Sequence, residues 1–144
     1  MSQLDAEARL PQIGFAADHE RLYTRTNGGE GHIWNGVPTL LLTTLGRRTG
    51  QPYRTPLIYG TDGDRYVVVA SKGGAPSHPS WYLNLTEHST VKLQVGSEVF
   101  TASARTATPQ ERARLWQTMT RIWPDFDNYQ ARTAREIPLV VFER

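Results

Sequence analysis

The apolar positions of this chain fall mostly in short runs or strict alternations, the pattern of strands rather than of long helices. "TLLLTTL" (39–45) is aliphatic and β-branched and reads as a strand. "YRTPLIYG" (53–60) reads as a second, and Pro56 confines it to an edge or a bulge, because proline cannot donate to a ladder. "TDGD" (61–64) carries the Asp-Gly pair of a tight hairpin. "RYVVVAS" (65–71) follows as a strand whose unbroken apolar run implies burial on both faces. In "TVKLQV" (90–95), Val91, Leu93 and Val95 alternate onto one face; Gly96-Ser97 is a two-residue turn, and "EVFTASART" (98–106) returns antiparallel. "IPLVVFE" (137–143) is the last strand of the pattern.

Helical spacing occurs in three places. "FAADHERLYTR" (15–25) puts Phe15, His19 and Leu22 on one face, and "SWYLNLTEH" (80–88) is a short helix. A third opens at Thr108-Pro109-Gln110-Glu111, with Thr108 as N-cap, Pro109 in the first turn and Glu111 closing a capping box. Its apolar stripe is Leu115, Trp116, Met119, Ile122 and Trp123. Phe126 and Tyr129 continue at steps of three, so Trp123, Phe126 and Tyr129 are expected on one helical face. "TNGGEGHIWNGVP" (26–38) and "KGGAPSHP" (72–79) are loops. The expected fold is mainly β with α: a six-stranded, largely antiparallel barrel flanked by three or four short helices. One domain is expected to span 1–144, with 1–14 loosely ordered. A doubly wound sheet would need regular strand–helix alternation, which is missing.

Composition narrows the chemistry. The absence of cysteine removes disulfides, thiolate nucleophiles and Cys-ligated metals, and fits a reducing cytoplasm. No apolar run approaches the ~20 residues of a bilayer span, and the N-terminus lacks a signal pattern. A soluble, cytoplasmic monomer is expected, with peripheral membrane contact through the first helix permitted but not required. A net charge of +2 without a basic stripe argues against nucleic acid. The histidines at 19, 32, 78 and 88 lack metal-ligand spacing, so no metal is expected and each reads as a surface or capped residue. P-loop, Rossmann and G-x-S-x-G patterns are absent.

Two stretches stand out. "TTLGRRTGQPYRTPL" (43–57) gathers Arg47, Arg48 and Arg54 around Gly46 and Gly50 at the end of a strand. These side chains are either a solvated loop face or an anion site, since guanidinium forks suit phosphate and carboxylate. "ASKGGAPSHPSWYLNL" (70–85) places Lys72 in a stiff Gly/Pro loop before a helix start. It is either a tight connection with Trp81 in the core, or a phosphate site where free N–H groups and the helix dipole meet at the helix start.

Together, "LLLTTLGRRTGQPYRTPLIY", "VVVASKGGAPSHPSWYLNL", "VKLQVG" and "YQARTAREIPLVVFE" resemble the deazaflavin-dependent nitroreductase family, over roughly 20–143. The resemblance implies a split β-barrel oxidoreductase that uses coenzyme F420, an 8-hydroxy-5-deazaflavin with a ribityl phosphate and an oligoglutamate tail. It implies that Arg47, Arg48 and Thr49 meet the phosphate and tail, and that Tyr53, Arg54, Thr55 and Pro56 continue that wall. It sets Val69, Ala70, Ser71 and Lys72 under the ring, and Ser80, Trp81, Tyr82, Leu83 and Asn84 at the helix-start contact. Ser71 and Tyr129 would be catalytic, orienting the acceptor or relaying a proton. Trp123, Phe126 and Tyr129 would form the acceptor pocket, with Phe126 also against the coenzyme. The implied reaction is hydride transfer to a quinone-like or nitroaromatic acceptor, and planar apolar acceptors such as quinones fit the aromatic pattern. An FMN-binding split-barrel protein and a non-catalytic coenzyme carrier are the alternatives.

Overall fold

The structure is a computed structural model that describes residues 14–34 and 36–144, with side chains from His19 onward. The expected loose segment 1–14, apart from the backbone of Gly14, and the side chain of Phe15 lie outside the described residues.

In chain order the elements are α1 (Gly14–Arg25), β1 (Ile33–Trp34), β2 (Val37–Leu45), β3 (Pro52–Ile58), β4 (Gly60–Asp62), β5 (Arg65–Val69), α2 (Ser80–Glu87), β6 (Thr90–Val95), β7 (Glu98–Thr106), α3 (Pro109–Ile122), α4 (Asp125–Ala131) and β8 (Leu139–Glu143). The eight strands form one sheet in the order β1-β2-β6-β7-β8-β5-β4, with β3 also on β2. Every pairing is antiparallel. Among the described residues the result is a curled half-barrel with four α-helices.

The strand count corrects the expected six. The run read as one strand over 53–60 divides at Tyr59: β3 pairs with β2, and β4 pairs with β5. Those partners lie far apart along the sheet, so this single segment joins the two sides and curls the sheet. Hydrophobic spacing along one strand does not register a change of partner. The other addition, β1, is a two-residue strand inside the Gly-rich loop, too short to show alternation. Pro56 sits on β3, which among the described residues pairs with β2 alone, so the strand is an edge, one of the two positions expected. The β4–β5 turn centres on Gly63-Asp64, one residue later than the Asp-Gly pair, because Asp62 pairs with Arg65. The Gly96-Ser97 turn is as read, between Val95 and Glu98.

Alternation in β5 and β8 divides the apolar side chains between two cores. Val68, Val140 and Phe142 pack with Leu40, Leu42, Val91 and Leu93 within the curl. Val67, Val69, Leu139 and Val141 face outward onto Leu115 and Met119 of α3 and Phe126 of α4. This explains why β5 is apolar on both faces. Each such side chain, fully buried, contributes about 1.5–3 kcal/mol.

The helices are fixed at their ends. The Thr108 amide donates to Glu111 Oε1 at 2.8 Å, so the capping box forms. Trp123 ends α3, and Pro124 separates it from α4. The expected single face of Trp123, Phe126 and Tyr129 is therefore split between two helices. On α1, buried Tyr23 donates to the carbonyls of Thr39 (3.1 Å) and Gln94 (3.2 Å) and accepts from the Gly96 amide (2.7 Å). Burial pushes its hydroxyl pKa up to about 12, so it remains a neutral donor that ties α1 to the sheet. Among the described residues no helix is long and apolar enough to cross a membrane.

Candidate active site

The turn after β2 closes on itself, with the Gly46 amide donating to Gln51 O and the Gly50 amide to Gly46 O, both at 2.8 Å. A Cβ at Gly46 would lie 2.6 Å from Thr49 Oγ1 and from a Tyr53 ring carbon. Only glycine lets Tyr53 lie against the turn, where its hydroxyl meets Thr49 Oγ1 at 3.1 Å.

A cavity of about 390 Å³ opens on this turn. Arg47, Arg48, Thr49, Tyr53, Arg54 and Thr55 line it from the turn and β3, and Ser80, Trp81 and Asn84 from α2. The three arginines sit differently. Buried Asn84 accepts from both the amide of Arg47 (3.1 Å) and its Nη1 (2.9 Å), and its own Nδ2 donates to Thr44 (3.3 Å). Arg47 is thus held by neutral partners, with no ion pair among the described residues. Arg48 is exposed and makes no ion pair or hydrogen bond among the described residues. Arg54 Nε lies 2.9 Å from Glu20 Oε1 of α1, and the Glu20 side chain is only 1% exposed. That contact is misaligned for a hydrogen bond, so the carboxylate is compensated by charge alone. Burial raises its pKa above the ordinary 4.5, while Arg54 and Arg21 oppose the rise.

A second cavity, about 370 Å³, adjoins the first, and Trp81 lines both. Pro56 and Ile58 of β3, Val69 at the end of β5, Ser71 and Lys72 just after it, and the aromatic trio Trp123, Phe126 and Tyr129 form its walls. Although split between helices, the trio converges here. Trp123 Nε1 donates to the Tyr129 hydroxyl at 3.3 Å, and Phe126 meets Tyr129 edge-on.

Three of the expected residues line neither cavity. Ala70 is fully buried beneath the loop. Tyr82 hydrogen-bonds Thr106 at 2.8 Å and packs on the inner core. Leu83 lies on α2 away from both lining sets. Conversely, His19, Trp34 and Thr39 line the second cavity without having been singled out for it. His19 Nε2 donates to Gly31 O at 2.7 Å, and its ring stacks on Trp34, which in turn packs on Trp123 at 5.5 Å. The signal for this wall was a tryptophan inside the Gly-rich loop. Among the described residues no cluster could hold a metal.

A cation-rich pocket that shares a tryptophan wall with an aromatic-walled one suits an elongated anion with a flat, apolar head. The model of a family described as F420H(2)-dependent quinone reductase matches residues 16–144. The chain belongs to this family. An F420H(2)-dependent quinone reductase of Mycobacterium tuberculosis is 45% identical over 130 residues, 88% of this chain and 87% of that protein. A solved F420-H2 dependent reductase is 37% identical, covers 74% of this chain and 94% of its own, and superposes with a TM-score of 0.69. Another solved structure, described as a domain-swapped dimer, is 34% identical and covers 88% and 94% with a TM-score of 0.72. Against this family background the donor set fits F420. Arg47 and Arg48 supply guanidinium groups of the kind that suits phosphate and carboxylates, and the second cavity supplies aromatic and aliphatic surface of the kind that suits an apolar ring.

Proposed function

We propose that this protein is an F420-dependent quinone reductase built on a single split-barrel domain. The observation that carries the reading is Trp81, which lines both the arginine-lined cavity and the aromatic one and so sets the two side by side. Reduced F420, when bound, supplies a hydride. The chain's own residues bind, orient and shield. Arg47, Arg48 and Thr49 hold the phosphate and the tail, with Tyr53, Arg54 and Thr55 as the continuing wall. Ser80, Trp81 and Asn84 contact the coenzyme from α2. Val69, Ser71, Lys72 and Pro56 support the headgroup.

Trp123 and Phe126 give the acceptor a dry, flat seat. Reducing a quinone to a quinol takes a hydride and one proton. The Tyr129 hydroxyl accepts from Trp123 Nε1, which leaves its own proton free to donate to the acceptor oxygen. Ser71, which lines the same cavity, orients that oxygen. In this reading the enzyme is a cytoplasmic monomer.

The test is direct. Purified protein mixed with reduced F420 should oxidise it when menadione is added, followed by the rise of the oxidised-coenzyme absorbance. Binding without oxidation would make the protein a coenzyme carrier. Absence of binding at micromolar coenzyme would end the reading.

A further inference from the structure

The main-chain oxygens of the loop bordering the acceptor cavity are gathered mostly by one side chain, with Arg132 Nη1 also reaching Gly73 O at 3.4 Å. Arg135, between α4 and β8, donates from Nε to Ala75 O (2.8 Å), from Nη1 to Ala70 O (3.2 Å) and from Nη2 to Ser71 O (2.6 Å). Its Nη1 also lies 3.0 Å from His78 Nδ1. Burial, aided by the neighbouring guanidinium, holds His78 below its ordinary pKa, so the ring stays neutral and Nδ1 can accept. Among the described residues no carboxylate pairs with Arg135. Its positive charge is directed at main-chain oxygens.

The peptides here are trans, so each carbonyl points opposite to the following amide. With Ala70 O and Ser71 O turned to Arg135, the N–H groups of Ser71 and Lys72 point away from it. Both residues line the acceptor cavity, and neither amide has a main-chain acceptor among the described residues. The backbone changes from right-handed at Ser71 (φ −80°, ψ −40°) to left-handed at Lys72 (φ 48°). That change brings successive N–H groups to one concave side. Lysine does not favour such a conformation, so an external clamp is needed to hold it.

We propose that Arg135 is a positioning residue for the reaction: by turning the Ala70–Ser71 and Ser71–Lys72 peptides, it aims two main-chain donors into the acceptor cavity at a conjugated carbonyl oxygen. Such an oxygen changes its negative charge as a hydride moves, and fixed donors favour the charged state. It belongs either to the deazaflavin ring or to the quinone. The inference rests on the reductase reading above.

The experiment compares wild type, Arg135→Lys and Arg135→Ala, with and without low-millimolar guanidinium. It reads thermal melting, F420 affinity, the absorption spectrum of bound F420, and kcat and KM with menadione. Arg135→Lys keeps the charge but not the fork, and should fold yet lose at least about tenfold in kcat/KM. Guanidinium should restore part of the rate to Arg135→Ala and leave wild type unchanged. Should Arg135→Ala fail to fold, Arg135→Lys carries the test. A shifted spectrum or affinity of bound coenzyme assigns the donors to the deazaflavin carbonyl. An unchanged spectrum and affinity with altered menadione kinetics assigns them to the quinone oxygen. A folded Arg135→Lys with wild-type spectrum, affinity and kinetics overturns the inference. Inactive wild type overturns the reductase reading instead.

Discussion

Glu20 and Arg54 illustrate how a site residue takes its character from a partner distant in sequence. Arg54 was recognisable as one cation of a basic turn, but the buried carboxylate beneath it was not, because it arrives on α1. The pairing balances the charge of Arg54, so in the proposed reading the net attraction for the anionic tail falls to Arg47 and Arg48. Asn84 is a parallel case: position 84 was expected at the site, but its buried role of holding Arg47 depends on the turn and α2 meeting in space. A stability test follows for Glu20. Its folded pKa lies above 4.5, so over that window the folded state binds more protons than the unfolded one. Stability therefore falls as pH rises from about 4.5 through the folded value. Glu20→Gln should remove this fall. Denaturant titrations of both proteins over that range decide it: parallel curves for wild type and variant would refute the assignment.

At the level of elements, legibility depended on whether the signal was local. The capping box at Thr108–Glu111 was readable because its partners are three residues apart. The aromatic trio was readable as a set but not as a face, since Pro124 bends the chain between Trp123 and Phe126. The division of one apparent strand at Tyr59 was not readable, because sheet curvature decides it. Glu111 provides a test with the opposite sign to Glu20. Hydrogen bonds from Arg105 and then from the Thr108 amide lower its pKa from 4.5 to about 2. Its stabilisation is complete above the unfolded value near 4.5 and is lost as pH falls towards about 2. Glu111→Gln should cost about 1 kcal/mol at neutral pH and flatten the acid limb of the stability curve. An acid limb as steep as that of wild type would show that the loss arises elsewhere.

For the whole molecule, the strands, turns and helix starts were largely visible in the sequence, and so were the basic turn and the Lys72 loop. Their arrangement was not. The half-barrel brings β3, the end of β5 and the start of α2 around a shared tryptophan, and α1 and the Gly-rich loop add His19 and Trp34 to the second cavity. In the proposed reading, the charged and apolar ends of F420 are served by neighbouring cavities with different linings. The most direct test is the affinity for F420 carrying short and long glutamate tails, measured by fluorescence titration on wild type and Arg48→Ala. Wild type should bind long-tailed F420 more tightly. The variant should lose up to roughly tenfold with long tails, as expected for a charge-assisted contact partly open to water, and less with short ones. Equal losses for short and long tails, or a wild type indifferent to tail length, would contradict the account.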